Sequence, residues 1–338
     1  MMTQSSATKR ATAMDAESGG SSSQNPVSLG KSGSVQSVTS DVAFMTTVFV
    51  NLYMIGAPGE PWVLVDTGLP LQAGRVRRAA EDRYGAGARP QAIVLTHGHF
   101  DHAGNALELA REWNVPIYAH ELEMPYLTGR SDYPPQDPTV GGALAQMSRL
   151  FPHSGYDFGA LVKQLPADGT VPELPEWRWL HTPGHTHGHV SLYRERDRLL
   201  LSGDALATVN QESPVTLITL EKELRQPPAP FTTDWIAARR SIELLADLRP
   251  AIIAAGHGLP IKEGDVAARL ERFAETFAPP SDGRYVREPA QADERGVTKL
   301  PPPVPDTVRK VMIGTALATV AVGALVLALA PRRTRRKV

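Results

Sequence analysis

Short apolar runs and amphipathic stretches alternate along the chain from about residue 44 to residue 277. Runs of about four to eight residues rich in branched and aromatic side chains predict strands, and apolar positions spaced three and four apart predict helices. The predicted strands span 48–55, 62–65, 92–95, 115–118, 177–180, 189–193, 199–201 and 251–254, and the predicted helices span 73–83, 104–112, 233–246 and 265–275. This order favours an α/β fold in which two sheets pack face to face with helices outside.

Two intervals within this region, 127–174 and 206–231, are interrupted by proline and glycine and are predicted as loops over a site. The first interval contains four aromatic residues: Tyr133, Phe151, Tyr156 and Phe158. These side chains are either pocket lining or the interior of the loop itself, and the sequence does not separate the two.

The chain outside this region has a different composition. Residues 1–40 are rich in Ser, Thr, Gly and Gln and have few large apolar side chains, which predicts a disordered leader. No apolar run follows Lys9 and Arg10, so a secretory signal peptide is not predicted. We expect one globular domain over 41–277, followed by a proline-rich linker over 278–307.

An uncharged apolar stretch covers residues 311–330 near the end of the chain. At about 1.5 Å per residue it would span about 30 Å as a helix, the thickness of the hydrocarbon core of a bilayer. We therefore expect a transmembrane helix over 308–331 and a basic tail over 332–338. Together with the missing signal peptide, this predicts a single-pass C-terminal membrane anchor with the globular domain in the cytoplasm.

Charge and cysteine content exclude several classes of protein. The 338 residues carry a net charge of −1, and without the seven basic residues between 309 and 337 the rest carries −8. Such a domain has no electrostatic basis for binding nucleic acid. The chain has no cysteine, which excludes disulfides, thiolate metal ligands and a cysteine nucleophile.

The densest chemical feature follows the predicted strand at 92–95. Three histidines and an aspartate lie within six residues, at His97, His99, Asp101 and His102. Imidazole and carboxylate groups that project from one loop toward one point are the ligands that zinc and similar divalent ions require. This loop therefore predicts a metal site.

Three further positions follow predicted strands in the second half of the chain. His185 lies in a Pro-Gly turn, Asp204 follows the apolar run at 199–201, and His257 lies between two glycines after the run at 251–254. Each is a weak signal alone. Together with the histidine loop they predict one site built from strand ends.

With these residues the chain resembles the metallo-β-lactamase superfamily over about 44–277. The HxHxDH motif of that family matches residues 97–102. The resemblance implies an αβ/βα four-layer sandwich, which we expect to be followed by the C-terminal transmembrane helix. It further implies that 41–277 is the catalytic domain. It also implies that Asp66, in the Val-Asp-Thr-Gly stretch, orients a ligand without binding metal.

The resemblance implies two divalent metal ions, zinc in the first place, with iron or manganese as alternatives. One ion would be held by His97, His99 and His185, the other by Asp101, His102 and His257, with Asp204 bridging the two. A hydroxide shared by the ions would attack the substrate, and Asp101 or Asp204 would handle the proton. The remaining histidines, His120, His153, His181, His187 and His189, are predicted not to bind metal, with His189 structural and His187 exposed.

We expect a metal-dependent hydrolase of a lactone, thioester or related ester, with a small-molecule substrate, no nucleic-acid partner and membrane contact through the C-terminal helix. The carboxylate that oxygen-reducing di-iron members carry is replaced here by His99, which disfavours oxidoreductase chemistry. Asp204 stands where classical β-lactamases often carry cysteine or histidine, which disfavours antibiotic hydrolysis. Two alternatives stay open: a membrane-tethered metal-binding scaffold without hydrolytic activity, and a phosphodiesterase or nuclease of the same fold.

Overall fold

The computed structural model describes residues 34–212, 216, 219, 221–303 and 305. In this part of the chain, one sheet of seven strands follows chain order. Its strands are β1 Gln36–Ser37, β2 Val42–Thr47, β3 Val50–Ile55, β4 Val63–Val65, β5 Ile93–Val94, β6 Ile117–Ala119 and β7 Val162–Gln164. The strands from β1 to β4 pair antiparallel, and those from β4 to β7 pair parallel.

A second sheet of five described strands has the order β12-β11-β10-β9-β8. Its strands are β8 Thr170–Val171, β9 Leu174–His181, β10 Val190–Arg194, β11 Leu199–Gly203 and β12 Ile252–Ala255. β11 and β12 pair parallel, and the other neighbours pair antiparallel. A separate hairpin is formed by β13 Gln291–Asp293 and β14 Gly296–Lys299.

The α-helices lie between and after these strands. They are α1 Ala73–Tyr84, α2 Phe100–Ala103, α3 Ala106–Trp113, α4 Met124–Leu127, α5 Gly142–Met147, α6 Trp235–Asp247, α7 Val266–Glu275 and α8 Arg284–Arg287. Side chains that cap the backbone fix the starts of α6 and α7. Asp234 accepts hydrogen bonds from the first turn of α6, and Asp265 does the same for α7.

Apolar side chains on both faces of the sheets produce four layers. In β11, Leu199 and Leu201 pack into the core between the sheets, whereas Leu200 packs outward, as the two-residue period of a strand requires. The outer face of the first sheet is covered by α1 and α3, and that of the second sheet by α6 and α7. The expected arrangement of helix, sheet, sheet and helix is therefore present.

The strands and helices predicted from the apolar pattern each overlap an observed element, but others lie in segments expected to be loops. The interval 127–174 contains α5 and β7. Residues 278–307, expected to be an extended linker, include α8 and the β13–β14 hairpin. Tyr285 of α8 is buried in the same apolar cluster as Phe277, so packed structure continues past the expected boundary at residue 277.

The expected fold class included a C-terminal transmembrane helix, and this part of the prediction is not supported. Across the residues that the structure describes, no helix combines the length and the apolar character needed to cross a membrane. The segment 308–331 that suggested the helix lies outside the described residues, as does the tail 332–338. The predicted membrane localisation is withdrawn with the helix. Within the expected leader, 1–40, residues 1–33 lie outside the described part of the chain. Residues 34–40 are described and include β1.

Candidate metal centre

The predicted ligands meet where the strands of both sheets end. Asp66 follows β4, and the loop from His97 to His102 follows β5, its parallel neighbour. In the second sheet, Asp204 follows β11 and His257 follows the parallel strand β12. The carboxyl ends of parallel strands share one edge of a sheet, which explains why residues far apart in sequence converge here.

One group of three imidazoles comes from two loops. His99 Nδ1 lies 3.1 Å from His97 Nε2 and 2.9 Å from His185 Nε2. All three rings are nearly inaccessible to solvent, with His99 the most exposed at 9%. Ring nitrogens this close repel each other unless a proton or a cation lies among them, and three such donors suit a metal ion.

A second group of three combines a carboxylate with two imidazoles. The ligand atoms of Asp101, His102 and His257 all lie within 4.8 Å of one another. Asp101 Oδ2 is 3.9 Å from His102 Nε2 and 3.6 Å from His257 Nε2. This set matches the second predicted ion site, residue by residue.

Asp204 lies between the two groups. Its Oδ2 atom is 3.5 Å from His185 Nε2 in the first group, and 3.5 Å and 3.1 Å from the Nε2 atoms of His102 and His257 in the second. A glycine at position 256 is needed for this approach, because a Cβ atom there would overlap Asp204 Oδ1. The structure thus gives Asp204 the central position that the resemblance implied.

Two buried polar atoms at the centre have no hydrogen-bond partner among the residues that the structure describes. His102 Nε2 and Asp204 Oδ1 are both shielded from solvent and make no hydrogen bond. Buried polar atoms are ordinarily paired, and an orphaned imidazole nitrogen beside an orphaned carboxylate oxygen fits a bound cation. The residues present therefore fit a metal site.

Neighbouring groups fix the orientation of the rings. Asp66 Oδ2 accepts a hydrogen bond from His102 Nδ1 at 2.8 Å, which turns the lone pair of Nε2 toward the centre. Asp66 also accepts from the backbone nitrogen and the hydroxyl of Thr96, so its carboxylate is itself held in place. His257 Nδ1 donates to the backbone oxygen of Phe49 at 2.9 Å, with the same consequence for its Nε2.

Burial also favours the neutral, metal-binding state of the three imidazoles in the first group. Burial and neighbouring imidazoles lower the pKa of His97 and of His185 well below the ordinary value, and they lower the pKa of His99 to about 3. These rings are therefore neutral, as metal ligands must be. Burial works to raise the pKa of Asp204, yet His257 and His102 hold it well below the ordinary value. Burial raises the pKa of Asp101.

Sequence reasoning missed Glu123, a fully buried carboxylate beside the centre. Its Oε2 accepts from the backbone nitrogen of Gly98 at 2.9 Å and from the Tyr133 hydroxyl. Its Oε1 accepts from the Thr186 hydroxyl at 2.6 Å and from the backbone nitrogen of Gly188 at 3.1 Å. No motif marks Glu123. The only available signal is its place just before the apolar turn of α4, which carries it into the interior.

The other histidines are placed outside the ligand groups. His189 Nε2 accepts from the backbone nitrogen of Asp204, which agrees with the structural role expected of it. His187 is half-buried, not exposed as expected, because the segment after residue 278 folds back and the Ala290 carbonyl accepts from its ring. His120 stacks on His181, and His153 lies at the surface.

Comparisons with a family model and with individual proteins agree with each other. A family model described as the metallo-beta-lactamase superfamily matches residues 45–257. The probable metallo-hydrolase YflN of Bacillus subtilis (strain 168) is 44% identical over 252 residues, which cover 74% of this chain and 96% of that protein. The probable metallo-hydrolase YybB of the same organism is 32% identical over 200 residues, 59% of this chain and 77% of that protein.

Among solved structures, a metallo-beta-lactamase family protein from Thermus thermophilus aligns with a TM-score of 0.44 and 25% identity. The alignment covers 67% of this chain and 73% of that one. The stretch matched by the family model, 45–257, contains Asp66 and all seven predicted metal ligands.

Proposed function

This chain belongs to the metallo-β-lactamase superfamily as a metallo-hydrolase, and we propose that it uses two divalent ions to hydrolyse a lactone, a thioester or a related ester. The observation that carries the proposal is the pair of ligand groups that share Asp204. A site for a single ion would leave the polar atoms of the other group buried without a partner, which is energetically costly.

Each ion would have its own protein ligands. His97, His99 and His185 would hold the first, and Asp101, His102 and His257 would hold the second, with Asp204 contacting both. Nitrogen and oxygen donors without thiolate suit zinc, and they also suit iron and manganese. Zinc is the ion we propose first, because imidazoles supply five of the seven donors.

When bound, the ions would supply Lewis acidity, lowering the pKa of water and polarising the carbonyl of the substrate. The residues of the chain provide position and proton transfer. Water adds its oxygen to the acyl carbon, the bond from that carbon to oxygen or sulfur breaks, and a proton passes to the leaving atom. Both candidate proton carriers line the cavity beside the centre, and Asp101 is the more exposed, with 11% of its side chain accessible against 3% for Asp204.

The test is a panel of substrates offered to the full chain after its metal content has been measured. We expect turnover of at least one lactone, thioester or carboxylic ester. We also expect kcat/KM to fall by about a thousandfold or more in His97→Ala and in Asp101→Ala, because each change removes a ligand of one ion.

Three results would count against the proposal. Turnover confined to phosphodiesters would make the chain a phosphodiesterase of the same fold. Unchanged turnover in both variants would remove the metal ligands from the mechanism, and a metal-loaded chain that hydrolyses nothing would support the scaffold alternative.

A further inference from the structure

A cavity of about 230 Å³ opens beside the metal centre, and its walls are almost entirely apolar. Asp101, His185 and His257 lie at its floor, so a molecule in the cavity would contact the reacting centre. Four phenylalanines from four separate segments form the wall, and we call them the phenylalanine cleft: Phe49, Phe100, Phe151 and Phe231.

Phe151 lies at the middle of the phenylalanine cleft. Its ring centroid is 5.2 Å from that of Phe100, 6.1 Å from that of Phe231 and 6.5 Å from that of Phe49. All four rings are only half-buried, although aromatic side chains gain most when they are fully covered. Their exposed faces form one continuous apolar surface that a ligand would cover.

The phenylalanine cleft reaches both ligand groups. The Phe231 ring lies 5.8 Å from the ring of His99, and the Phe49 ring stacks at 5.9 Å on His257. A substrate whose scissile carbonyl sits over the metal centre therefore has its neighbouring atoms against phenyl rings. The cleft is part of the same site, not a separate pocket.

Apart from the ions that the centre would hold, no described residue that lines this cavity offers a counter-ion to a charged substrate group. Among the lining residues that the structure describes, none is lysine or arginine, and the titratable ones are ligands of the metal centre. A carboxylate on the acyl part would lose its hydration without gaining a partner, which is strongly unfavourable. An alkyl or aryl group would gain from covering the exposed rings.

Given the proposed ester, thioester or lactone hydrolysis on which this step rests, we propose that the substrate carries an uncharged, apolar acyl group that packs in the phenylalanine cleft. The cleft selects substrates by the length of this group and rejects acyl groups that end in a carboxylate. Thioesters of charged peptides have no cationic partner on this wall.

The experiment compares acyl groups on a common leaving group. N-acetylcysteamine thioesters and p-nitrophenyl esters of acetate, butyrate, hexanoate and octanoate are offered to the metal-loaded full chain, with succinyl as the charged match for butyryl. Released thiol can be read with a thiol reagent without background, because the chain contains no cysteine. We expect kcat/KM to rise by about fourfold per added methylene until the cleft is full. We expect butyryl to exceed succinyl by about a hundredfold or more.

Binding gives a second readout that does not depend on turnover. Octanamide cannot be hydrolysed readily and carries no charge, and calorimetry should show that it binds at least about tenfold more tightly than acetamide. A flat chain-length profile, or succinyl turned over as well as butyryl, overturns the cleft proposal and leaves the hydrolase function intact. If no substrate is hydrolysed, the hydrolase proposal fails, and the binding of the amides alone tests the cleft proposal. Equal affinities for octanamide and acetamide would then overturn it.

A matched pair of variants locates the effect. Phe151→Ala should reduce the octanoyl-to-acetyl ratio of kcat/KM by about tenfold, because the central ring of the cleft is lost. Leu150→Ala, its exposed neighbour outside the cavity, should leave the ratio unchanged. If Phe151→Ala does not fold, Phe151→Leu should give a smaller reduction in the same direction. Equal ratios in the Phe151 and Leu150 variants would remove the cleft from substrate selection.

Discussion

Single hydrogen bonds decide which atom of each ligand faces the centre. An imidazole that donates from Nδ1 must present the lone pair of Nε2, and this is the arrangement of His102 on Asp66 and of His257 on the Phe49 carbonyl. His97 Nδ1 lies 3.1 Å from the Thr96 hydroxyl, which in turn bonds to Asp66. One carboxylate therefore orients two ligand rings, directly or through a hydroxyl.

A buried arginine remote from the site provides a residue-scale test of stability. Arg194 has 1% of its side chain exposed and donates to Asp41 and Asp197. Burial works to raise the pKa of Asp41, but hydrogen bonds from Arg194 and Thr39 lower it from 3.8 to about 2. The native state thus keeps Asp41 ionised at pH values where the unfolded chain binds a proton.

The pH dependence of stability follows from that shift. Because the folded pKa is depressed, the contribution of Asp41 is complete above about pH 4 and is lost as the pH falls through about 2. Asp41→Asn should flatten the pH dependence of the free energy of unfolding, measured in urea, across this pH window. Asp82→Asn, a change at an exposed position of α1, should leave that pH dependence as it is in the unchanged chain. Arg194→Met should cost about 3 kcal/mol at neutral pH. Identical slopes in both aspartate variants would contradict this account.

Glu123 acts at the scale of elements, because it joins the two loops that carry the first three imidazoles. The loop after β5 donates to one carboxylate oxygen through Gly98, and the loop between β9 and β10 donates to the other through Gly188. A Cβ atom at position 188 would come within 2.7 Å of the Glu123 backbone nitrogen, so the close approach needs glycine. The distance between His99 and His185 depends on this junction.

Glu123→Gln tests that role with a change of one atom. In either orientation the amide nitrogen of glutamine faces a backbone N–H group, that of Gly98 or that of Gly188, so one donor pair repels. We expect zinc affinity, measured by chelator competition, to fall by about tenfold to a hundredfold. We expect the free energy of unfolding to fall by about 2 kcal/mol.

Glu121→Gln is the control, since it makes the same change at an exposed position two residues earlier. Zinc affinity should be unaffected there. If Glu123→Gln were destabilised but bound zinc as tightly as the unchanged chain, Glu123 would support the fold without positioning the ligands.

At the scale of the whole molecule, the local signals in the sequence predicted the framework of strands and helices and the polar residues that the structure brings together. The short, continuous apolar runs around Leu64 and Leu200 are typical of buried strands, and His97, Asp204 and His257 follow such runs, so their meeting at one edge could be inferred. Glu123 and the phenylalanine cleft could not, because their roles depend on contacts between segments distant in sequence. The helix and hairpin within 278–307, expected to be a linker, were missed for the same reason: proline content is a local property, whereas the burial of Tyr285 in one apolar cluster with Phe277 is a tertiary one.

We propose that the chain holds two divalent ions that share Asp204. The most direct measurement is the metal content per chain, by mass spectrometry, after reconstitution with zinc and removal of the excess. We expect two ions in the unchanged chain and in His153→Ala, an exposed histidine outside both groups, and one fewer in His97→Ala and in His257→Ala. One ion or none in the unchanged chain, or the same content in all four proteins, would contradict it.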